Sequence, residues 1–71
     1  MWNHDLAIAD YTQAIRIDPN LASAFSNRGN VHFFRGDFDL AIADHEAVLR
    51  INPSHPHARQ WLEEARQLSG R

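Results

Sequence analysis

The chain has 71 residues, a net charge of −2 and no cysteine. Disulfides and thiolate metal sites are excluded, and the charge gives no long-range attraction for nucleic acid. No apolar run approaches the roughly 20 residues that span a bilayer, and Met1-Trp2-Asn3-His4-Asp5 lacks the charged start and apolar stretch of a signal peptide. The expectation is a cytoplasmic protein of one small domain, residues 1–71, with no membrane and no nucleic-acid partner. A core of this size supplies about 3–5 kcal/mol of net stability unless something staples it.

The first predicted element is a helix over residues 3–18. His4, Ala7, Ile8, Tyr11, Ala14 and Ile15 recur at the i, i+3, i+4, i+7 spacing that lines one side of an α-helix. Asp18 precedes Pro19, whose ring pushes it out of the helical region, and Arg16 in the last turn suits the helix dipole. A second helix begins near Leu21, with Asn20 as its candidate N-cap. Phe25, Gly29, Val31 and His32 populate one of its sides, and Gly36 is placed to stop it. In the third, Phe38, Ala41, Ile42, His45, Val48 and Leu49 repeat the spacing of the first, and Asn52-Pro53 closes it. Asp37 and Asp39 lie near its start, where carboxylates serve as caps and dipole partners. Ser54 is a plausible cap and Pro56 a plausible first-turn residue for a last helix over 56–69. Its stripe is Ala58, Trp61, Leu62, Ala65 and Leu68. No segment reads as a strand. The fold class is all-α, with four antiparallel helices joined by short links.

The first and third elements are nearly one text. DLAIADYTQAIRIDP (residues 5–19) and DLAIADHEAVLRINP (residues 39–53) agree at nine of fifteen positions, 34 residues apart. These residues resemble the tetratricopeptide repeat, a helix-turn-helix unit that stacks into a solenoid. Phe25 stands at the family's Trp place, Gly29 at its Gly, Ala41 and Val48 at its two small positions and Pro53 at its Pro. Arg28, His32 and His45 depart from the pattern at its Leu, Tyr and Phe places, and Asn27-Arg28-Gly29-Asn30 resembles a bacterial-type variant. The resemblance implies an α-solenoid fragment of about two repeat equivalents. Residues 3–18 form the second helix of a truncated repeat, 21–55 a complete repeat, and 56–69 a capping helix. Gln60, Glu63, Glu64 and Gln67 would give that last helix a polar outer face.

What the resemblance implies for function is a protein–protein interaction or scaffold module, with a peptide or partner helix held in a concave groove. The groove positions are Ser23, Ser26, Asn27, Asn30, Phe33 and Phe34, with His57 and Trp61 on the last helix. Asn27 and Asn30 would hydrogen-bond a peptide backbone. Phe33 and Phe34 point about 100° apart, so one of them is expected to be exposed. A carboxylate clamp known in some members is broken here, since His57 and Trp61 stand where the family has Lys and Arg. The alternative is self-association. The helix that should precede residue 3 and cover His4, Ala7, Ile8, Tyr11 and Ala14 is missing; either the sequence is cut from a longer array, or a homodimer closed through that face buries them. His32 and His45 are expected to face each other as a packed, hydrogen-bonded pair whose charging near about pH 6 is costly. No metal site, cofactor or catalytic pairing of nucleophile and base is expected, and the chain does not read as an enzyme.

Overall fold

The computed structural model describes residues 3–70, and among them are four α-helices and no strand. They are α1 (His4–Ile17), α2 (Ala22–Arg35), α3 (Phe38–Ile51) and α4 (Ala58–Leu68). Met1, Trp2 and Arg71, which the 1–71 domain includes, lie outside the described residues.

Local chemistry explains most helix ends. Asn3 caps α1, its Oδ1 accepting the N–H of Leu6 at 3.1 Å. Asp18 and Asn52, each before a proline, leave the helical region at ψ 95° and 89°. Gly36 adopts φ 85°, and the N–H of Asp37 then reaches back to the carbonyl of His32 at 2.9 Å. That six-residue return bond satisfies a carbonyl the helix end would otherwise leave unpaired.

Three cap expectations are corrected. Leu21, not Asn20, holds the N-cap place of α2, and no side chain bonds there. Asn20 instead gives its N–H to Asp18 Oδ1 at 3.1 Å, in a local turn around Pro19. Ser54 does not cap α4, which begins later, and Pro56 lies in the turn before it. His55 takes the capping part, with Nδ1 accepting the N–H of Ala58 at 3.1 Å and of His57 at 3.3 Å. Asp37 makes no side-chain cap bond, because its carboxylate turns to Arg35 Nε at 3.4 Å.

The helices stack in order. α2 packs on α1 and α3, α3 packs on α4, and α2 touches α4, while α1 packs on α2 alone. Asp5 at the start of α1 meets Arg35 at the end of α2 (2.6 Å), as antiparallel neighbours do. The core lies between the last three helices. Ala24 and Val31 of α2, Ala41, Ala47 and Val48 of α3, and Ala58, Leu62 and Ala65 of α4 are buried. α1 has no buried residue. Small residues set the spacing: a Cβ on Gly29 would stand 2.9 Å from His45 Nε2 and 3.1 Å from Asp44 Cβ, so only glycine fits between α2 and α3.

Candidate functional site

At the junction of three helices sits a charged clasp that sequence reasoning missed. Arg28 of α2 donates from Nε to Asp44 Oδ2 at 2.8 Å and from Nη2 to Asp44 Oδ1 at 2.7 Å. The bond to α3 is therefore bidentate, the strongest geometry for this pair. Its Nη1 reaches the other way, to Thr12 Oγ1 of α1 at 3.1 Å. The guanidinium sits over the Phe25 ring, its central carbon 5.6 Å from the centroid. Asp44 is almost wholly buried, and the pairing raises Arg28 above the ordinary arginine value despite the opposing effect of burial. A signal was present. Asp44 falls between Ala41 and Val48 on the inward stripe of α3, and a carboxylate there demands a partner. Arg28, at the family's Leu place, supplies it.

The groove residues divide in two. Phe33, Phe34 and Trp61 come together: Trp61 lies edge-on to Phe33 at 5.1 Å and to Phe34 at 5.9 Å, with Phe33 and Phe34 6.0 Å apart. Phe38 joins Phe33 at 5.4 Å. As expected of helix neighbours, one ring is partly covered and the other is not; Phe34 is 64 % exposed. Asn30 and Ser26 lie one and two turns before this shelf on the same side of α2, and both are half-buried. Asn30 Oδ1 is buried and has no hydrogen-bond partner among the described residues. Ser23 and Asn27 are exposed. His57 is exposed at the start of α4 and meets His55 (6.4 Å) instead of the aromatic shelf.

His32 and His45 do not form the expected hydrogen-bonded pair. His45 is fully buried, neither ring nitrogen has a hydrogen-bond partner, and its ring stacks on Trp61 at 5.9 Å. His32 Nε2 lies 3.7 Å from Asp44 Oδ2, and its Nδ1 is unpartnered. Burial pushes both imidazoles below the usual histidine value. The Asp44 carboxylate offsets this in part; Arg28 and Arg35 lower His32 further, while Asp37 raises it, and His55 lowers His45 further. Between these lowered folded values and the unfolded value of about 6.5, the unfolded chain holds more protons. Stability therefore rises with pH across that window. It is complete above about pH 6.5 and is lost as the pH falls toward the folded values. A melting temperature that drops between about pH 7 and about pH 5 is the expected result. His45→Phe, which keeps the ring and removes two unpaired nitrogens, should flatten that drop and add about 1 kcal/mol. A flat profile in the parent chain, or an unchanged slope in the variant, would contradict this account.

The face of α1 is set apart by its surroundings. Ala7, Ile8, Tyr11 and Ala14 are each half-covered, as is His4. Their counterparts 34 residues on include Ala41, His45 and Val48, all at 0 % exposure. The same letters are thus core in α3 and surface in α1. No group of three or more His, Cys, Asp or Glu side chains placed to hold a metal occurs among the described residues. None of the described helices is long and apolar enough to cross a membrane.

Stacked antiparallel helices, spaced by a buried glycine and repeating at 34 residues, define a fragment of a helical-repeat solenoid. Residues 3–34 match a family model described as TPR repeat, and residues 22–55 match a tetratricopeptide repeat model. The chain belongs to the tetratricopeptide repeat family. The two matches overlap on α2, the helix that packs on both α1 and α3. No curated protein matches the chain. Tetratricopeptide repeats are in general protein–protein interaction modules, and the family is typically a non-enzymatic scaffold.

Proposed function

We propose that this chain is a binding module, not an enzyme, and that it holds an extended peptide or partner helix along α2, across to the start of α4. One observation carries this: Phe34 is 64 % exposed, yet it is held edge-on to Trp61 beside the half-buried Asn30. An aromatic fixed in place but left open is an anchor of low entropic cost. Asn27, exposed on α2, supplies hydrogen bonding to a peptide backbone, with the half-buried Asn30 beside it. Ser26 and Asn27 extend the polar edge, Phe33 and Trp61 form the shelf, and His57 marks its far end. The net charge of −2 fits a protein ligand better than nucleic acid. Peptides selected on the chain from a randomised displayed library test the proposal. Phe34→Ser should weaken the selected peptides about tenfold or more, as loss of an aromatic anchor does, with the melting temperature nearly unchanged. Equal binding by the variant would refute the groove.

In our proposal α1 is a second contact surface, because it has no buried residue while α3, built from nearly the same letters, has five. A homodimer closed through His4, Ala7, Ile8, Tyr11 and Ala14 is one way to cover it.

A further inference from the structure

Two imidazoles seat α4, and each does so only in its neutral form. The first lies under the middle of the helix. His45 is fully buried, its ring stacked on Trp61 with the planes 11° apart, and Gly29 of α2 backs onto its Nε2. Neither nitrogen has a partner among the described residues, so a proton added there brings an unpaired charge into the core. The second lies at the helix start. His55 Nδ1 accepts the N–H groups of His57 and Ala58. A proton on that nitrogen turns the acceptor into a donor and removes both bonds. It also sets a positive charge at the N-terminal end of the helix dipole.

The surroundings do not absorb these charges. On its own helix His45 has Asp44 beside it, but both carboxylate oxygens are taken by Arg28 of α2, and burial outweighs the attraction. Glu46 pairs with Arg66 of α4, and Arg66 with Glu63. From the turn before α4, His55 opposes a second charge on His45, and His57 lies 6.4 Å from His55, ring to ring. His32 stands on the α2 side of Asp44, 3.7 Å from its Oδ2. The elements also differ in how they are tied. α2 and α3 share the bidentate clasp and the close approach at Gly29. α4 packs on α3 and only touches α2, and its ion pair to α3, Arg66 with Glu46 at 3.4 Å, joins two exposed groups and contributes little. Yet α4 supplies Trp61, against which both Phe33 and Phe34 stand edge-on.

We propose that α4 is an acid-released latch on the groove: protonation of His45 and His55 unseats it from α3, withdraws Trp61 from Phe33 and Phe34, and releases the bound peptide. The proposal rests on the groove along α2 and α4 as the binding site. Its sign follows from linkage. The peptide binds the seated form, whose imidazoles are neutral, while in the unseated form His45 titrates as an exposed ring near about pH 6.5. Affinity is therefore full above that pH and falls as acid fills the unseated form.

The test uses the full chain with Trp2→Phe, which leaves Trp61 as its one tryptophan. Without peptide, Trp61 emission should move to the red, reversibly, between about pH 7.5 and about pH 5. Over the same range α4 amides should lose protection from exchange, corrected for the intrinsic rate, while Ala24 and Val31 of α2 keep theirs. The affinity of a peptide selected at about pH 7.5 should fall with a limiting slope of about tenfold per pH unit for each proton taken up. His45→Phe and His55→Asn should each push these changes to lower pH, since Asn keeps an acceptor at the helix start. The double variant should bind equally at both ends of the range. His57→Gln, which alters an exposed ring, should leave the pH dependence in place. Protection of α4 that persists in acid, or loss of protection in all helices together, would overturn the latch. So would a peptide bound equally at both pH values by the parent chain, or a double variant that keeps the pH dependence. A chain that unseats α4 in acid but selects no peptide at any pH would count against the groove and leave the latch standing, so the two readings fail separately.

Discussion

Arg28→Ala is expected to cost about 3 kcal/mol, the lower end of what breaking a buried ion pair costs. Asp44 has 6 % of its side chain exposed and would be left without its fork, while Arg28 is 20 % exposed and only partly screened. The loss is largely the penalty of a stranded carboxylate, not the worth of the attraction. A second variant separates the two. Arg28→Leu combined with Asp44→Ala removes both charges and should recover most of the lost stability, since an apolar pair at such a site is often neutral. Urea unfolding followed by circular dichroism measures both. With about 3–5 kcal/mol available in total, the single variant should keep about 2 kcal/mol at most and unfold at the lowest urea concentrations. A loss below about 1 kcal/mol would mean that the clasp is an ordinary surface pair.

Gly29→Leu is expected to cost about 3 kcal/mol through overpacking. The first carbon of the new side chain would meet His45 Nε2 at 2.9 Å and Asp44 Cβ at 3.1 Å, one of them on a fully buried ring. Leucine is the better helix former by nearly 1 kcal/mol, so propensity alone gives the opposite sign. The sign of the measured change therefore decides whether close approach or propensity governs this position. Gly36→Ala is a useful contrast, because nothing stands within 4 Å of a Cβ there and only the φ of 85° is at issue.

What the sequence made legible was local or periodic. The stripe of α3, the stops at Asp18-Pro19 and Asn52-Pro53, and the glycine end of α2 each follow from residues within a few positions of one another. The exposed member of the Phe33–Phe34 pair followed from helix geometry, although which of the two it was did not. The features that stayed hidden depend on register between helices. Arg28 and Asp44 are 16 residues apart on different helices, and only their packing aims one at the other. His45 turned to Trp61 of α4 and not to His32, because stacking on an aromatic face was available there. Caps were misassigned at Asn20 and Ser54: α2 starts after Leu21 with no side-chain cap while Asn20 is held in the turn by Asp18, and at α4 the His55 imidazole accepts the N–H of Ala58. The contrast between the two copies of Asp-Leu-Ala-Ile-Ala-Asp lay beyond local text altogether. Burial of Asp44 and exposure of Asp10 are properties of what packs beside each helix.

The central claim is that this repeat binds a protein ligand along the open side of α2 and the start of α4. Amide and indole shift mapping with a library-selected peptide tests it most directly. The claim predicts changes at Ser26, Asn27, Asn30, Phe33 and Phe34 and at the Trp61 indole, with α1 quiet. Changes confined to α1, or spread evenly over all four helices, would contradict it.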